Sequence, residues 1–221
     1  MEISILNVLG PVMIGPSSSH TAGAAKLSMV ARNLLTKPFM HVSFGLYGSF
    51  AKTYKGHGTD IALVAGALGI REDDERLKQA FSIAKEQGIS YDFYEVELEN
   101  AHENTVVMTF TYVDGDSMEV VGSSIGGGEI LIRKIQGFDT ALSMNASTLL
   151  IRHKDRVGVI HEITKVLAEE EINIGVMTLN RKARGEEACC TIETDRYLTN
   201  KMVEKLKKLD DIASVQAINI E

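Results

Sequence analysis

The side chains with chemistry to offer crowd one short stretch, Ser17-Ser18-Ser19-His20-Thr21, which follows Gly15-Pro16. Short hydroxyl side chains compete for backbone donors, so they collect where helices begin. A helix start also presents unpaired amides and the positive end of the helix dipole, both of which favour an anion. Gly23, Ala24 and Ala25 keep the first turns thin, so a small molecule can approach the backbone closely. The combination suits a small carboxylate and equally suits a plain helix cap; the pattern alone leaves both open. No Gly-Lys-Ser/Thr ending follows, which sets aside a phosphate-binding P-loop. Ser19 and His20 are sequence neighbours, and neighbours on a helix do not face each other, so they make a poor nucleophile–base pair.

Further polar groups lie along the chain. His57 stands between Gly56 and Gly58, which leaves its ring accessible, and Asp60 follows either as a helix cap or as a functional carboxylate. His102-Glu103-Asn104-Thr105 is polar enough to hydrogen-bond a small zwitterion. A lone histidine is more often structural than catalytic, and none of these spacings matches a zinc motif. The catalytic base stays unassigned. Cys189 and Cys190 are the only cysteines. As neighbours on a strand they point to opposite faces and cannot easily share a metal. Two thiols also fall short of the ligands that an iron–sulfur cluster requires, so structural burial is expected of both.

The elements that must position these groups follow from periodicity. After a lead-in over 3–15, apolar residues at helical spacing (Leu27, Val30, Ala31, Leu34, Leu35) predict a helix over about 19–35, stopped by Lys37-Pro38. Alternation of Val42, Phe44 and Leu46 predicts a half-buried strand over 41–47, then a loop over 48–58. Thr59 is expected to cap a helix over 60–68, and Asp73 or Asp74 one that Gly88 closes. From Tyr91 the period becomes two, giving strands over 91–98, 105–113, 117–125 and 129–136, with a tight hairpin at Asp114-Gly115. Gly126-Gly127-Gly128 reads as a wide hairpin loop or a place where backbone meets a ligand or another chain. A linker over 137–147 precedes strand 148–152, helix 158–170, strands 172–180 and 188–194, a helix capped by Thr199, and strand 213–220. That βαββαβ order is the ferredoxin-like arrangement. The fold class is therefore α+β, with a mixed α+β domain over 1–140 and a ferredoxin-like domain over 148–221.

Composition narrows the function classes. The chain has 221 residues, 44% hydrophobic and 24% charged, a globular balance large enough for two modest domains. Its net charge of −7 argues against nucleic acid as a partner. No apolar run is long enough to cross a bilayer, and no secretory signal is visible, so a cytoplasmic location is expected.

Two blocks also carry a family likeness. Met13-Ile14-Gly15-Pro16-Ser17-Ser18-Ser19-His20-Thr21-Ala22-Gly23 and Lys55-Gly56-His57-Gly58-Thr59-Asp60 resemble the β chain of bacterial iron–sulfur L-serine dehydratase, and the C-terminal third resembles an ACT regulatory domain. The likeness implies β-elimination from L-serine to pyruvate and ammonia, with a [4Fe–4S] cluster held by a partner α chain. It implies that Ser17, Ser18, Ser19, His20, Thr21, His57 and Asn104 form a substrate-binding wall in a composite site. His153 and Asn173 fit the serine-binding ACT domains of phosphoglycerate dehydrogenase, where the Asn comes from a partner copy. Asp155 stands where those domains prefer an amide, and Val157 where they prefer proline. A carboxylate there would repel a bound carboxylate but could grip an ammonium group. Self-association through the ACT domain is implied as well. Two other readings stay open: a purely regulatory amino-acid-binding subunit without catalytic residues, and a stand-alone amino-acid sensor.

Overall fold

A computed structural model describes residues 12–219; most of the expected lead-in lies outside that range. The chain separates into two compact units, one taking the residues up to 137 with 141–143, the other 138–140 with 144 onwards.

The first unit holds β1 to β5 of a six-stranded sheet in the order β2-β1-β3-β4-β5-β6, the residues of β6 being divided between the two units. The strands are β1 (Phe39–Gly48), β2 (Ser90–Glu95), β3 (Asn104–Tyr112), β4 (Ser117–Gly126), β5 (Glu129–Ile135) and β6 (Phe138–Leu142). β2 runs parallel to β1, whereas β1–β3, β3–β4 and β4–β5 are antiparallel pairs. The alternating residues Val42, Phe44, Leu46, Val106, Met108, Phe110 and Val120 are buried, as period two requires. Each such side chain contributes about 1.5–3 kcal/mol when fully removed from water.

Helices α1 (Ala24–Asn33) and α3 (Thr59–Ala67) pack on each other, and α1 also touches β4 and β5. Their approach is set by small residues: a Cβ on Gly66 would lie 2.1 Å from the Ala25 carbonyl oxygen, and one on Gly122 of β4 would lie 2.5 Å from Leu27.

Several local expectations need correction. The residues before α1, Ser18–Gly23, form a wide π-helical turn rather than the first turns of an α-helix. The segment 48–58 is not all loop, because it holds a short helix, α2 (Ser49–Thr53). Thr59 does not cap α3. Gly58, in the left-handed region at φ +68°, starts that helix, while Thr59 is buried inside it. Asp74 does cap, but it opens a 3₁₀ turn (Glu75–Gln79) that leads into α4 (Ala80–Glu86). The linker over 137–147 contains β6, whose Phe138, Thr140 and Leu142 alternate inward. Gly126, Gly127 and Gly128 all have positive φ (108°, 62°, 81°) and turn β4 into β5.

The second unit contains β7 (Ser147–Lys154), α5 (Val159–Glu169), β8 (Ile174–Arg181), β9 (Glu187–Thr194), α6 (Asn200–Lys207) and β10 (Ile212–Ile218). Its antiparallel sheet has the order β10-β7-β9-β8, the ferredoxin-like topology. Leu149, Ile151, Cys190 and Ile192 pack with Val159, Ile163, Leu167, Met202 and Leu206 as its core. Thr199 caps α6 by accepting from the Met202 amide.

Candidate functional site

The serine turn draws its shape from one residue. Ser17 is the extended cap of the turn, and its Oγ accepts from the His20 amide at 3.1 Å. Its carbonyl accepts from both the Thr21 and Ala22 amides, at 2.9 and 3.3 Å. The double acceptance widens the turn, and π-helical widening of this kind recurs at functional sites. The amides of Ser18 and Ser19 find no acceptor among the described residues. Two N–H groups thus stand open beside the half-buried side chains of Ser17, Ser18, Ser19 and His20.

Thr21 does not join that open wall. It is 1% exposed, and its hydroxyl donates to the His57 carbonyl at 3.1 Å. It therefore fastens the serine turn to the loop between α2 and α3. The fastening brings the His20 and His57 rings to 4.9 Å between centroids. Phe50 meets the His20 ring edge-on at 5.3 Å between centroids, and His20 Nε2 lies in hydrogen-bond contact with Ser49 Oγ at 3.2 Å. Burial, and secondarily the neighbouring His57, push the His20 pKa below its ordinary value, so this ring stays neutral near pH 7.

Ser49 and Phe50 reach the site through Gly48. That residue adopts φ +60° and ψ −123°, and a Cβ on it would lie 2.7 Å from the Glu103 carbonyl oxygen. The same oxygen accepts from the Ser49 and Phe50 amides at 2.7 and 3.3 Å. Across the sheet, Asn104 is registered opposite Gly48. Its Oδ1 is buried and has no hydrogen-bond partner among the described residues. An unpaired buried carbonyl oxygen is costly, and a ligand donor would relieve it.

Ser124 Oγ is likewise buried and unpartnered, pressed against Gly23, where an added Cβ would come within 2.1 Å. Asp60 lies in the first turn of α3, its Oδ1 accepting from the Ile61 amide at 2.8 Å, and burial raises its pKa.

The structure thus gathers Ser17, Ser18, Ser19, His20 and His57 around one turn, with Asn104 one residue along and across from Ser49. Ser49, Phe50 and Ser124 escaped the sequence reading. A Gly-Ser pair directly after a strand was the available signal for the first two; Ser124 carried none, being one alternating strand residue among many.

In the second unit the candidate residues do not meet within one chain. His153, at the end of β7, is registered with Ala188 and Ile212. Asn173 precedes β8 near the opposite end of that sheet and donates to Asp195 at 2.6 Å. His153 is 2% exposed; its Nδ1 contacts the Lys154 carbonyl at 2.8 Å, and its Nε2 has no partner among the described residues. A pocket of about 430 Å³ lies there, lined also by Glu186, Glu187 and Asp211. Asp155 already has local partners on one carboxylate oxygen, Oδ2. Its carboxylate accepts from the Gly185 amide at 3.0 Å and from Arg181 at 3.1 Å, which hold it below the usual carboxylate range.

Cys189 and Cys190 are both buried, on opposite faces of β9, and burial lifts their thiols to about 11 and about 12. Among the described residues no group of three or more His, Cys, Asp and Glu is placed to hold a metal ion, and no helix is long and apolar enough to cross a membrane. Two buried, protonated thiols on opposite faces of one strand do not fit an iron–sulfur cluster, which takes more thiolate ligands than two.

Comparison with known proteins places these features. The family model for the serine dehydratase beta chain matches residues 4–134. This chain belongs to the serine dehydratase beta chain family. An ACT model of the acetohydroxyacid synthase small-subunit type matches residues 149–214. Among relatives, the probable L-serine dehydratase beta chain of Bacillus subtilis is 43% identical over 97% of both chains. The L-serine dehydratase beta chain of Peptoniphilus asaccharolyticus is 37% identical over 99% of both. D-3-phosphoglycerate dehydrogenase of Bacillus subtilis is 29% identical over 89% of this chain and 37% of its own length. For this family member, the serine turn and the Gly56-His57-Gly58 block both fall inside the serine dehydratase match, whereas His153, Asp155 and Asn173 fall inside the ACT match.

Proposed function

We propose that this chain is one subunit of a two-chain L-serine ammonia-lyase, in which it supplies the wall that grips the amino acid while a partner α chain carries a [4Fe–4S] cluster. The observation that supports this most directly is a pair of opposite polarities on neighbouring elements, open amides in the serine turn and an unpaired carbonyl oxygen on β3 opposite Gly48. The open amides of Ser18 and Ser19 suit a carboxylate. The unpaired Oδ1 of Asn104 suits an ammonium group. A zwitterionic amino acid presents both.

Substrate elimination removes the Cα proton and expels the β-hydroxyl, leaving an enamine that tautomerises and hydrolyses to pyruvate and ammonia. Hydroxide leaves poorly, and a cluster on the partner would supply Lewis-acid assistance. This chain's share is binding and orientation. Ser17 holds the turn open, Ser18, Ser19 and neutral His20 offer donors to the carboxylate, and Thr21 keeps His57 at the rim. Fixed donors in a site closed to water stabilise charge more strongly than the same groups in solution. On this reading the substrate-binding residues of this chain are Ser17, Ser18, Ser19, His20, His57 and Asn104, with Thr21 acting as their tether.

Substituting Ser19→Ala in the assembled enzyme tests the reading. We expect KM for L-serine to rise about tenfold to a hundredfold, as for a lost hydrogen bond to a charged group; an unchanged KM and turnover at full cluster content would remove Ser19 from the site.

A regulatory reading is favoured by one separate observation, the pocket beside the unpartnered His153 Nε2. In it, residues 148–221 bind an effector, with His153 and, from a partner copy, Asn173. The edge strand β8, which exposes Val176 and Leu179, supports self-association of this unit. Titrating isolated, cluster-loaded α chain with this chain separates the readings. Full serine turnover without this chain would leave it only the regulatory role.

A further inference from the structure

Ser49 lies outside every motif that the sequence singled out, yet it makes the one side-chain hydrogen bond to the His20 ring among the described residues. Both partners are held from behind. The His20 amide is tied to Ser17 Oγ, and the buried Phe50 sets the plane of the ring. The Ser49 amide donates to the Glu103 carbonyl, and the Ser49 carbonyl accepts from Thr53 Oγ1 at 2.8 Å. Ser49 Oγ has no other partner among the described residues, and neither has His20 Nδ1.

A neutral imidazole has one N–H and one bare nitrogen, and the bond at one nitrogen decides which is which. Were Nε2 to carry the proton and donate to Ser49, Nδ1 would turn a lone pair on an anion held at the neighbouring amides. With the hydroxyl donating into Nε2, Nδ1 carries the proton and offers the anion a donor. Resting on the carboxylate reading of the serine turn, we propose that Ser49 is a positioning residue for the dehydratase reaction: its hydroxyl donates to His20 Nε2 and fixes the Nδ1–H tautomer that binds the substrate carboxylate.

The test uses the assembled two-chain enzyme with Ser49→Ala, Ser49→Thr and His20→Ala, together with long-range 1H–15N spectra of this chain labelled at histidine. Ser49→Ala is expected to raise KM for L-serine about tenfold, with most of the loss in KM rather than kcat, while Ser49→Thr, which keeps the hydroxyl, stays within about threefold of the parent. The spectra are expected to show His20 protonated at Nδ1 in the parent chain and a mixture of tautomers in Ser49→Ala. An Nε2-protonated His20 in the parent would overturn the proposal, as would a Ser49→Thr enzyme as impaired as Ser49→Ala. A parental KM in Ser49→Ala beside a raised KM in His20→Ala would discard Ser49 and leave the turn standing. Parental KM in both would sink the carboxylate reading as well.

Discussion

Thr21 and His20 show how much of the site depends on single hydrogen bonds. Thr21 is buried, and its hydroxyl is the tether between the serine turn and the His57 carbonyl. Thr21→Val keeps the shape and removes the donor. We expect a loss of about 1 kcal/mol in urea unfolding, with a raised KM as His57 drifts from the rim. His20 gives a pH signature. Its folded pKa lies below the unfolded value because burial and His57 both disfavour the charged ring. In the window between the two values the unfolded chain binds more protons, so the contribution is fully present above the unfolded value of about 6.5 and is lost as pH falls from there through the folded pKa. The urea midpoint of the parent chain should therefore fall between pH 7.5 and 5.5 by more than that of His20→Gln. Equal slopes would mean that His20 titrates as it does in the unfolded chain.

At the scale of elements, the site exists because helices and strands approach more closely than ordinary side chains permit. Gly66 lets α3 press on the Ala25 carbonyl of α1. Gly66→Ala would force the helices apart, and a loss of about 1–3 kcal/mol with a lower Tm is expected, as for other overpacked cores. Periodicity revealed these elements well where burial was one-sided. Val42, Phe44 and Leu46 alternate cleanly and β1 was legible, as was the whole βαββαβ order of the second unit. It failed where close packing overrides pattern. Gly48 and the residues after it look like loop because glycine and small polar residues dominate. Their helix is held by the Glu103 carbonyl, a partner more than fifty residues away. Thr59 had the residue type of a cap, yet Gly58 could take the left-handed conformation at no cost and displaced it. The serine turn itself was legible as a place with open amides. What could not be read was which amides stay open, because that follows from Ser17's carbonyl serving two donors at once.

On the scale of the whole chain, the question is what it can do without a partner. Its only two thiols sit back to back on β9, one facing the core of the second unit and the other the opposite face, both buried and both held protonated at neutral pH. Thiolate, not thiol, binds iron and attacks disulfide reagents. With values of about 11 and 12, only about one part in a thousand or fewer of either thiol ionises at pH 7.5. Native chain should therefore react with a thiol-specific disulfide reagent far more slowly than unfolded chain, in which both thiols react. The same chemistry governs metal loading. Anaerobic incubation of this chain alone with ferrous iron and sulfide should yield no protein-bound charge-transfer absorbance after desalting. Incubation with the α chain present should yield it, and the cluster should stay with the α chain if the two are then separated. Stable iron on this chain alone would mean that its thiols leave the sheet to bind metal, and the division of labour proposed for the two chains would have to be redrawn.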